Sequence, residues 1–295
     1  MCYKLIVVSL QTILNELLLN FHEKPDRVYK GLGILAAEEP NVQPLTDENI
    51  SDYLEPQFLG VLQYFDMKLF ATKKVLLSLP WLFKVMGTKI VHYKFKIMAM
   101  LRTALGLNYE GYPELTCAAW DAFVRSCGVA NLTEQLATIF VSLLPLYERY
   151  PLKIDGIFRY FLMENGEIIE AHISDLFFVL NFDVGPEISA VIEKHVANFE
   201  NEPLERQLEM FIGHLNHDTN DIKIFALKYL REMLRKNREH LSRMVLGYNG
   251  IHNLVVEVLD IVMVNCRDKD PALKLACAEF LGELGAIEPS HLPRK

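Results

Sequence analysis

Two histidines and two aspartates lie close together in the segment HLNHDTND and could form a metal site. His214 and His217 are followed there by Asp218 and Asp221. Imidazole and carboxylate groups are common ligands of zinc and similar ions. The segment straddles the predicted end of a helix, however, and no further His or Cys group has the spacing of a ligand set. A solvated loop between two helices is therefore favoured over a metal site.

A cluster of acids at Glu164, Glu167 and Glu170 could supply the paired carboxylates of acid–base catalysis. Such catalysis needs a shared pocket that separates the two pKa values, and no surrounding pattern indicates one. The solvated start of a helix is the favoured interpretation. The sequence also has no glycine-rich phosphate loop, no Gly-x-Ser-x-Gly nucleophile turn and no protein-kinase signature. We therefore expect no catalytic residue, no cofactor and no metal ion in this chain.

Basic side chains form two groups that could contact phosphates or an acidic partner. Residues 67–109 contain no Asp or Glu, although the 295-residue chain carries a net charge of -8. A second basic group recurs at helical spacing along one predicted helix face. The candidate contact residues are Lys89, Lys94, Lys96, Arg102, Lys228, Arg231, Arg235 and Arg238. Long basic side chains also cover apolar surface on ordinary exposed helices, and this interpretation is favoured over direct contact with nucleic acid.

Helical spacing of apolar residues dominates the chain and predicts the elements that position these side chains. Alternating strand patterns are absent, and 51% of the residues are hydrophobic, which is enough for a large core. The predicted helices cover residues 3–21, 25–37, 52–66, 72–86, 89–106, 113–127, 131–149, 152–164, 167–180, 186–199, 203–215, 220–236, 238–246, 251–266 and 271–285. Because the breaks between them are short, neighbouring helices should be antiparallel. The predicted fold is all-α, an α-solenoid of stacked antiparallel helical pairs of the HEAT or armadillo type.

A weak internal repeat supports this stacking. The order aliphatic, Thr or Lys, small residue and large apolar residue recurs in Leu115–Phe123, Ile222–Leu230 and Leu273–Leu281. The small residue marks a position where a partner helix crosses closely, and the apolar residues around it form a buried stripe. Asp221 and Asp270 precede two of these helices and are predicted N-caps.

Pro80 lies inside the apolar run VLLSLPWLFKVMG and should end or kink a helix, because proline lacks an amide donor and clashes with the preceding turn. We expect two short helices or one bent helix there. Aromatic residues cluster on both sides of this proline. They are Tyr64, Phe65, Phe70, Trp81, Phe83, Tyr93 and Phe95. Packing between long helices is favoured over an aromatic ligand pocket.

The five cysteines are odd in number and scattered through apolar helical runs, so reduced buried thiols and an intracellular compartment are expected. The apolar N-terminus is interrupted by Gln11, Asn15 and Glu16, and no small-residue cleavage site follows it. A first buried helix is therefore favoured over a signal peptide. Elsewhere no uncharged stretch reaches the length of a membrane span, and we expect a soluble protein.

Several stretches resemble the N-terminal helical region of the ATR-type checkpoint kinases, serine/threonine kinases of the phosphatidylinositol-3-kinase-like family. The clearest is KIMAMLRTALGLNYEGYPELTCAAWDAFVR, which is similar to part of the segment known as the UME domain. The others are NELLLNFHEKPDRVYKGLGILA, YLEPQFLGVLQYFDMKL, IFRYFLMEN, DIKIFALKYLREMLRKNREHL and LGELGAIEPSHL. The resemblance extends from about Asn15 to Leu292. It implies N-terminal solenoid helices and an acidic loop at 1–50, a UME-type domain at 51–165 and HEAT-like repeats at 166–295.

The resemblance further implies a scaffold segment of a nuclear DNA-damage and replication-stress kinase. Its expected partners are an ATRIP-type subunit, other parts of the kinase chain and a second copy of the parent in a homodimer, with no membrane. The kinase domain is absent from the 295 residues, so no catalytic residue is carried over. Because the first helix is apolar nearly all round, we expect a fragment that aggregates or oligomerises when isolated. The alternative is a stand-alone helical-repeat adaptor that binds a protein or nucleic-acid partner.

Overall fold

The computed structural model describes residues 2–36, 46–107, 109–246 and 252–285, and this part of the chain is all-α, without strands. The first helices are α1 (Cys2–Leu19), α2 (Pro25–Ala36), α3 (Asp47–Leu54), α4 (Phe58–Lys68), α5 (Lys74–Met86), α6 (Lys94–Leu105), α7 (Tyr112–Cys127) and α8 (Leu136–Tyr147). The others are α9 (Pro151–Arg159), α10 (Gly166–Ile169), α11 (Pro186–Glu200), α12 (Leu204–Leu215), α13 (Asn220–Lys236), α14 (Arg238–Leu246), α15 (Asn253–Asn265) and α16 (Pro271–Gly285). The predicted all-α class of stacked helices is confirmed. The acidic loop predicted before α3 lies outside the described residues up to position 45.

The chain divides into two compact units. Unit 1 comprises residues 1–134 and 145–170, and unit 2 comprises residues 135–144 and 171–295.

The centre of unit 1 is the packing of α5 along α7. Helices α1 and α3 also contact α5, and α6 contacts α7. Trp120, Phe83 and Phe123 are fully buried, and the rings of Phe83 and Phe123 meet edge to face at 5.9 Å. Helix α7 is bounded by Gly111 and Gly128, whose φ angles of 80° and 74° lie in the left-handed region that favours glycine. The segment with the clearest resemblance to the UME domain therefore forms the core of unit 1.

Unit 1 also contains short irregular helical segments that the apolar spacing did not predict. The predicted helix 52–66 is divided into α3 and α4 by a 3-10 turn at Glu55–Gln57, which contains Pro56. The predicted helix 89–106 begins as a 3-10 segment at Gly87–Tyr93 before it becomes α6. Residues Tyr160–Glu164 form a π-helical turn after α9. The spacing of apolar residues does not distinguish a 3-10 helix from an α-helix, because their periods of 3.0 and 3.6 residues differ little over one turn.

Pro80 lies inside α5 without dividing it, so the first of the two predicted outcomes, two short helices, is wrong. The second, one bent helix, stays a prediction. Helix α5 continues from Lys74 to Met86 and buries side chains on both sides of the proline, among them Leu79 and Leu82. Packing against α1, α3 and α7 holds the helix together, although Pro80 cannot donate the hydrogen bond to the carbonyl of Leu76.

In unit 2 one helical pair stacks on another. Helices α12 and α13 contact each other, α12 packs against α15, and α13 packs against α16. Two of the three helices that carry the predicted repeat, α13 and α16, thus lie side by side. Their small residues, Ala226 and Cys277, are both fully buried. Asp270 caps α16, since its Oδ1 accepts hydrogen bonds from the amides of Ala272 and Leu273 at 2.8 and 3.4 Å.

Two details of unit 2 differ from the predictions. Asp221 is not an N-cap, because α13 begins at Asn220 and its N-cap is Thr219. Asp221 instead lies in the first turn, where its charge still complements the helix dipole. The predicted helix 167–180 becomes the short α10 followed by a long 3-10 segment, Glu170–Asn181.

Residues 74–105 form a continuous helical run of 32 residues that is long and apolar enough to cross a membrane by length and composition alone. Half of its most apolar window is buried. Leu79, Phe83 and Leu101 of this run are fully buried, and its helices pack against α7. This is the packing of a core segment within unit 1.

Candidate functional site: the basic surfaces and the groove beside α5

Three of the eight lysines and arginines of the acid-free stretch pair with carboxylates from earlier in the chain. Lys89 lies 2.5 Å from Asp52 and 2.7 Å from Glu55, both near the end of α3. These two hydrogen bonds raise the pKa of Lys89 above its ordinary value. Lys96 lies 3.8 Å from Asp66 of α4. These two lysines of residues 67–109 therefore pair with carboxylates that lie outside the stretch in sequence but next to it in space.

Lys94 and Arg102, the other two candidate contacts in this stretch, lie on α6. The Nζ of Lys94 donates a hydrogen bond to the carbonyl of Asn131 at 2.9 Å and lies 5.3 Å from the centre of the Phe95 ring. Arg102 is exposed, and no acidic partner is seen for it within the described residues. The four candidates thus have different surroundings, and they do not form a row of free cations.

The second basic group is largely neutralised by the next repeat. Arg231 of α13 pairs with Glu279 of α16, and Arg235 lies 2.8 Å from Glu283 of α16. The pKa of Arg235 is raised, mainly by its hydrogen bond to Glu283. Lys228 stays exposed above the Phe225 ring at 5.9 Å.

The predicted face that includes Arg238 is not continuous. Helix α13 ends at Lys236, and Arg238 begins α14. Asn237 lies between the two helices, and its Nδ2 donates a hydrogen bond to the carbonyl of Met233 at 3.1 Å. The predicted stripe is therefore a three-residue group on α13 that faces α16 at two positions.

The two histidines of the HLNHDTND segment have separate environments. His214 is buried in α12, where its Nε2 lies 3.4 Å from Oδ1 of Asp175 and its ring contacts Phe177. His217 lies beyond the end of α12, where its Nδ1 accepts a hydrogen bond from the amide of Thr219 at 3.0 Å. Its Nε2 lies 3.2 Å from Oγ1 of Thr138. The histidines thus support the packing of α12 and the following loop.

The acidic cluster does not form a shared pocket. Glu164 lies 3.9 Å from Arg125, while Glu167 and Glu170 are exposed at the start of α10 and just after it. Within the described ranges, no group of three or more His, Cys, Asp or Glu side chains has an arrangement that could hold a metal ion.

The described cysteines are thiols, and three of them are buried. Burial raises the pKa of Cys117 to about 11 and the pKa values of Cys127 and Cys277 to about 12. Cys266 is half-buried. A raised pKa keeps a thiol protonated and weakly nucleophilic at neutral pH. Structural packing is therefore the role that these surroundings support.

The aromatic residues around Pro80 do not form one cluster. Phe65 and Phe83 are fully buried, whereas Phe70 and Phe95 are 56% and 66% exposed. Trp81 is half-buried and belongs to a different group, in which its ring stacks on Phe21 with the centroids 3.7 Å apart.

A groove of about 790 Å³ lies beside α5 and α7, on the side of Pro80 and Trp81. Lys84 and Thr88 line it from α5 and the following segment, while Arg125 and Ser126 line it from α7. Pro80 and Trp81 stand out in the sequence, but the groove does not, because nothing in the sequence shows that α7 lies alongside α5. The volume is within the range of about 300–1,000 Å³ that is typical of ligand sites.

Comparisons with known proteins show similarity to one domain family and to one group of kinases. The UME (NUC010) domain family matches residues 53–147. The chain is 26% identical over 331 aligned residues to "Serine/threonine-protein kinase ATR" of Drosophila melanogaster, and the alignment covers 99% of this chain and 13% of that protein. The proteins of the same name from Arabidopsis thaliana and Oryza sativa subsp. indica are 22% and 21% identical, over 83% and 87% of this chain and 10% of each protein. No solved structure matches the chain. The expected resemblance to ATR-type kinases, including a UME domain, is confirmed.

Proposed function

We propose that this chain, which contains a UME domain and is similar to ATR kinases along nearly its whole length, is a scaffold segment of such a kinase. The chain spans only about an eighth of the length of its Drosophila relative. In this proposal the segment holds partner-binding surfaces at a defined position relative to a kinase domain elsewhere in the parent protein. The proposed activity of the parent is phosphorylation of serine and threonine in the response to DNA damage and stalled replication, in the nucleus.

The observation that carries the proposal is the stacking of helical pairs through side-chain contacts that define their register. In unit 2 the buried Asn265 of α15 donates a hydrogen bond from Nδ2 to the carbonyl of Leu215 in α12 at 3.0 Å. The Nζ of Lys223 donates to Oδ1 of the same asparagine at 3.3 Å. Such contacts hold each helix against the equivalent helix of the neighbouring pair, as a scaffold that transmits position requires.

The surroundings of the described polar side chains favour a scaffold role over a catalytic role. Four of the eight candidate contact residues pair with carboxylates, three of the described thiols are buried, and the acids near α10 are exposed. We therefore propose that this segment contributes no catalytic residue to the parent kinase. Its proposed partners are an ATRIP-type subunit, other parts of the kinase chain and a second copy of the parent.

The test is a charge reversal at the stacked helices in the full-length kinase. Arg231→Glu with Arg235→Glu would place like charges opposite Glu279 and Glu283 and should loosen the contact between α13 and α16. We expect reduced co-purification of the partner subunit and reduced DNA-stimulated phosphorylation, while ATP binding at the kinase domain is retained. The matched control adds Glu279→Arg and Glu283→Arg, which restores opposite charges and should restore both signals.

Hydrogen exchange of α13 and α16 shows whether the reversal opens the stack. If exchange increases there while partner binding and stimulated phosphorylation stay at the wild-type level, the proposed scaffold role is wrong. The stand-alone adaptor is the second candidate, and the groove beside α5 is the observation in its favour. A continuous reading frame that encodes a downstream kinase domain would decide for the scaffold.

A further inference from the structure

The groove beside α5 has a preformed apolar floor. Pro80, Trp81 and Ala122 contribute to its lining, and most of the lining surface is apolar. The Trp81 ring is held in place by the stacked Phe21 ring and by a hydrogen bond from its Nε1 to the hydroxyl of Tyr29 at 3.1 Å. Because these contacts fix the ring in the free protein, a ligand that packs on it pays little entropy to order it.

The polar groups at the groove are cationic or neutral. Its lining contains no acidic side chain. Within the described part of the chain, Lys84 has no ion pair, and the hydroxyls of Thr88 and Ser126 make no hydrogen bond. Lys74, Lys89 and Lys96 of the same acid-free stretch each have an acidic partner, as Lys74 has in Glu23 at 2.8 Å. Lys84 has no such partner among the described residues, and it places its ammonium group at the edge of an apolar surface.

Arg125 adds a second cation on the α7 side. Its Nε lies 2.9 Å from Asp121, one of its terminal nitrogens lies 3.9 Å from Glu164, and its guanidinium lies 4.5 Å from the centre of the Tyr160 ring. These contacts hold the guanidinium in one position and leave it partly exposed, so its remaining N–H groups can donate hydrogen bonds to a further carboxylate. The charges on the two sides of the groove are thus of one sign.

We propose that this groove binds an amphipathic helix of a partner protein, with acidic residues along the border of its apolar face. Apolar side chains of the partner would pack on Pro80, Trp81 and Ala122, and its carboxylates would pair with Lys84 and Arg125. A groove beside two packed helices suits a third helix, which is a common mode of peptide recognition. A nucleic acid fits less well, since one free lysine beside a partly neutralised arginine cannot match a run of phosphates. The inference does not depend on the kinase assignment.

Tryptophan fluorescence offers a direct test on the 295-residue chain. The chain has two tryptophans; Trp120 is fully buried, while Trp81 lies at the groove. The probe is a synthetic amphipathic peptide of about four helical turns with leucines on one face and glutamates beside them. We expect this peptide to protect Trp81 from acrylamide quenching. A matched peptide with lysines in place of the glutamates should not protect it, and Trp81→Phe should remove the signal.

Substitutions in the groove test its charge and shape separately. Lys84→Glu should weaken binding of the acidic peptide by about threefold to tenfold, as expected for reversing one exposed ion pair. Ala122→Phe should block the floor, without adding a tryptophan to the signal, and should abolish protection. The matched control is Arg102→Glu, an equal charge change at an exposed site on α6 outside the groove, which should leave the affinity unchanged. Circular dichroism confirms that each variant is folded.

Three results would overturn the proposal. They are no protection by the acidic peptide at millimolar concentration, equal protection by the lysine peptide, and equal loss of affinity in Lys84→Glu and Arg102→Glu. Protection of Trp81 by a single-stranded oligonucleotide, with none by the peptide, would assign the groove to nucleic acid instead. Because the assay uses neither kinase activity nor a partner subunit, its failure leaves the proposed scaffold role standing.

Discussion

Basic side chains in unit 1 and in unit 2 find their polar partners at different distances along the chain. In unit 2 the pairs Arg231 with Glu279 and Arg235 with Glu283 are each separated by 48 positions. A polar contact at the start of α13, from Asn220 to Asp268, has the same separation. In unit 1 the separations vary, from 37 positions between Lys89 and Asp52 to 54 between Lys74 and Asn20.

The difference shows two ways of building a helical unit. The separation of 48 positions that recurs between α13 and α16 follows from the stacking of one helical pair on the next, because these two helices lie side by side. Other polar contacts of unit 2 span 42 and 50 positions, as from Lys223 to Asn265 and from Asn265 to Leu215. Unit 1 includes 3-10 and π segments and a proline inside α5, so its helices meet at less regular intervals. Its cohesion depends on a large aromatic core around α7, whereas unit 2 adds a row of polar contacts between α13 and α16.

The largest expected effect tests the core of unit 1. Phe123→Ala removes a fully buried ring from α7 and should lower the free energy of unfolding of unit 1 by about 3–5 kcal/mol. Both tryptophans belong to unit 1, so urea unfolding followed by tryptophan fluorescence reports that unit, while far-UV circular dichroism reports both. Phe95→Ala, at a ring that is 66% exposed, is the control and should change stability by less than about 0.5 kcal/mol. Equal losses in the two variants would contradict the assignment of the core to α7.

A second substitution tests the polar contact between the stacked pairs of unit 2. Asn265→Ala leaves the buried carbonyl of Leu215 without its side-chain donor and should destabilise unit 2 by about 1–3 kcal/mol. Far-UV circular dichroism should show an earlier transition with unchanged tryptophan fluorescence. Asn253→Ala, at the exposed first residue of α15, is the control. A loss no greater than that of the control would mean that apolar contacts alone hold the pairs together.

A third prediction concerns pH and the buried thiols of unit 1. The pKa of Cys127 rises from its ordinary value of 9.0 to about 12 because the thiol is buried. Between these two values the unfolded chain loses the proton and the folded chain keeps it, so stability falls as pH rises above about 9. Unfolding followed by tryptophan fluorescence should show a slope for Cys127→Ala that is smaller by about 1 kcal/mol per pH unit between pH 9 and 10. Parallel pH profiles would contradict this cause.

The smallest expected effect is the coupling across α13 and α16. A double-mutant cycle of Arg231→Ala and Glu279→Ala should give a coupling energy of about 0.2–1 kcal/mol, since the carboxylate is partly exposed. The coupling should decrease as salt is added, because ions screen exposed charges. Chemical denaturation at low and high salt measures it. A coupling that salt does not change would indicate packing of the arginine stem in place of charge pairing.

Much of the helical framework could be predicted from spacing alone. The predicted helices 220–236 and 271–285 agree with α13 and α16 at both ends. Prediction failed where two helical forms share nearly the same spacing, as in the long 3-10 segment Glu170–Asn181. The prediction of two short helices at Pro80 failed for another reason. The local penalty of an interior proline was outweighed by contacts from three other helices, which no local pattern shows.

The candidate site was less predictable than the framework. The basic residues were visible in the sequence, but their partners lie far away along the chain. A solvated face is distinguished from a binding surface only by whether each lysine is paired or free. Lys89 and Lys84 look alike in the acid-free stretch, yet the first is held by two carboxylates and the second lines the groove.

Spacing and residue type, which are local properties of the chain, were enough to predict the all-α class, most helix positions and the repeated pattern shared by α13 and α16. They also carried the resemblance to ATR-type kinases. The tertiary structure was needed to show that α5 passes through Pro80 unbroken, which cations have acidic partners, and that α7 forms a groove with Trp81 and Lys84. Each of these depends on residues brought together from distant positions, because burial and charge pairing are determined by neighbours in space.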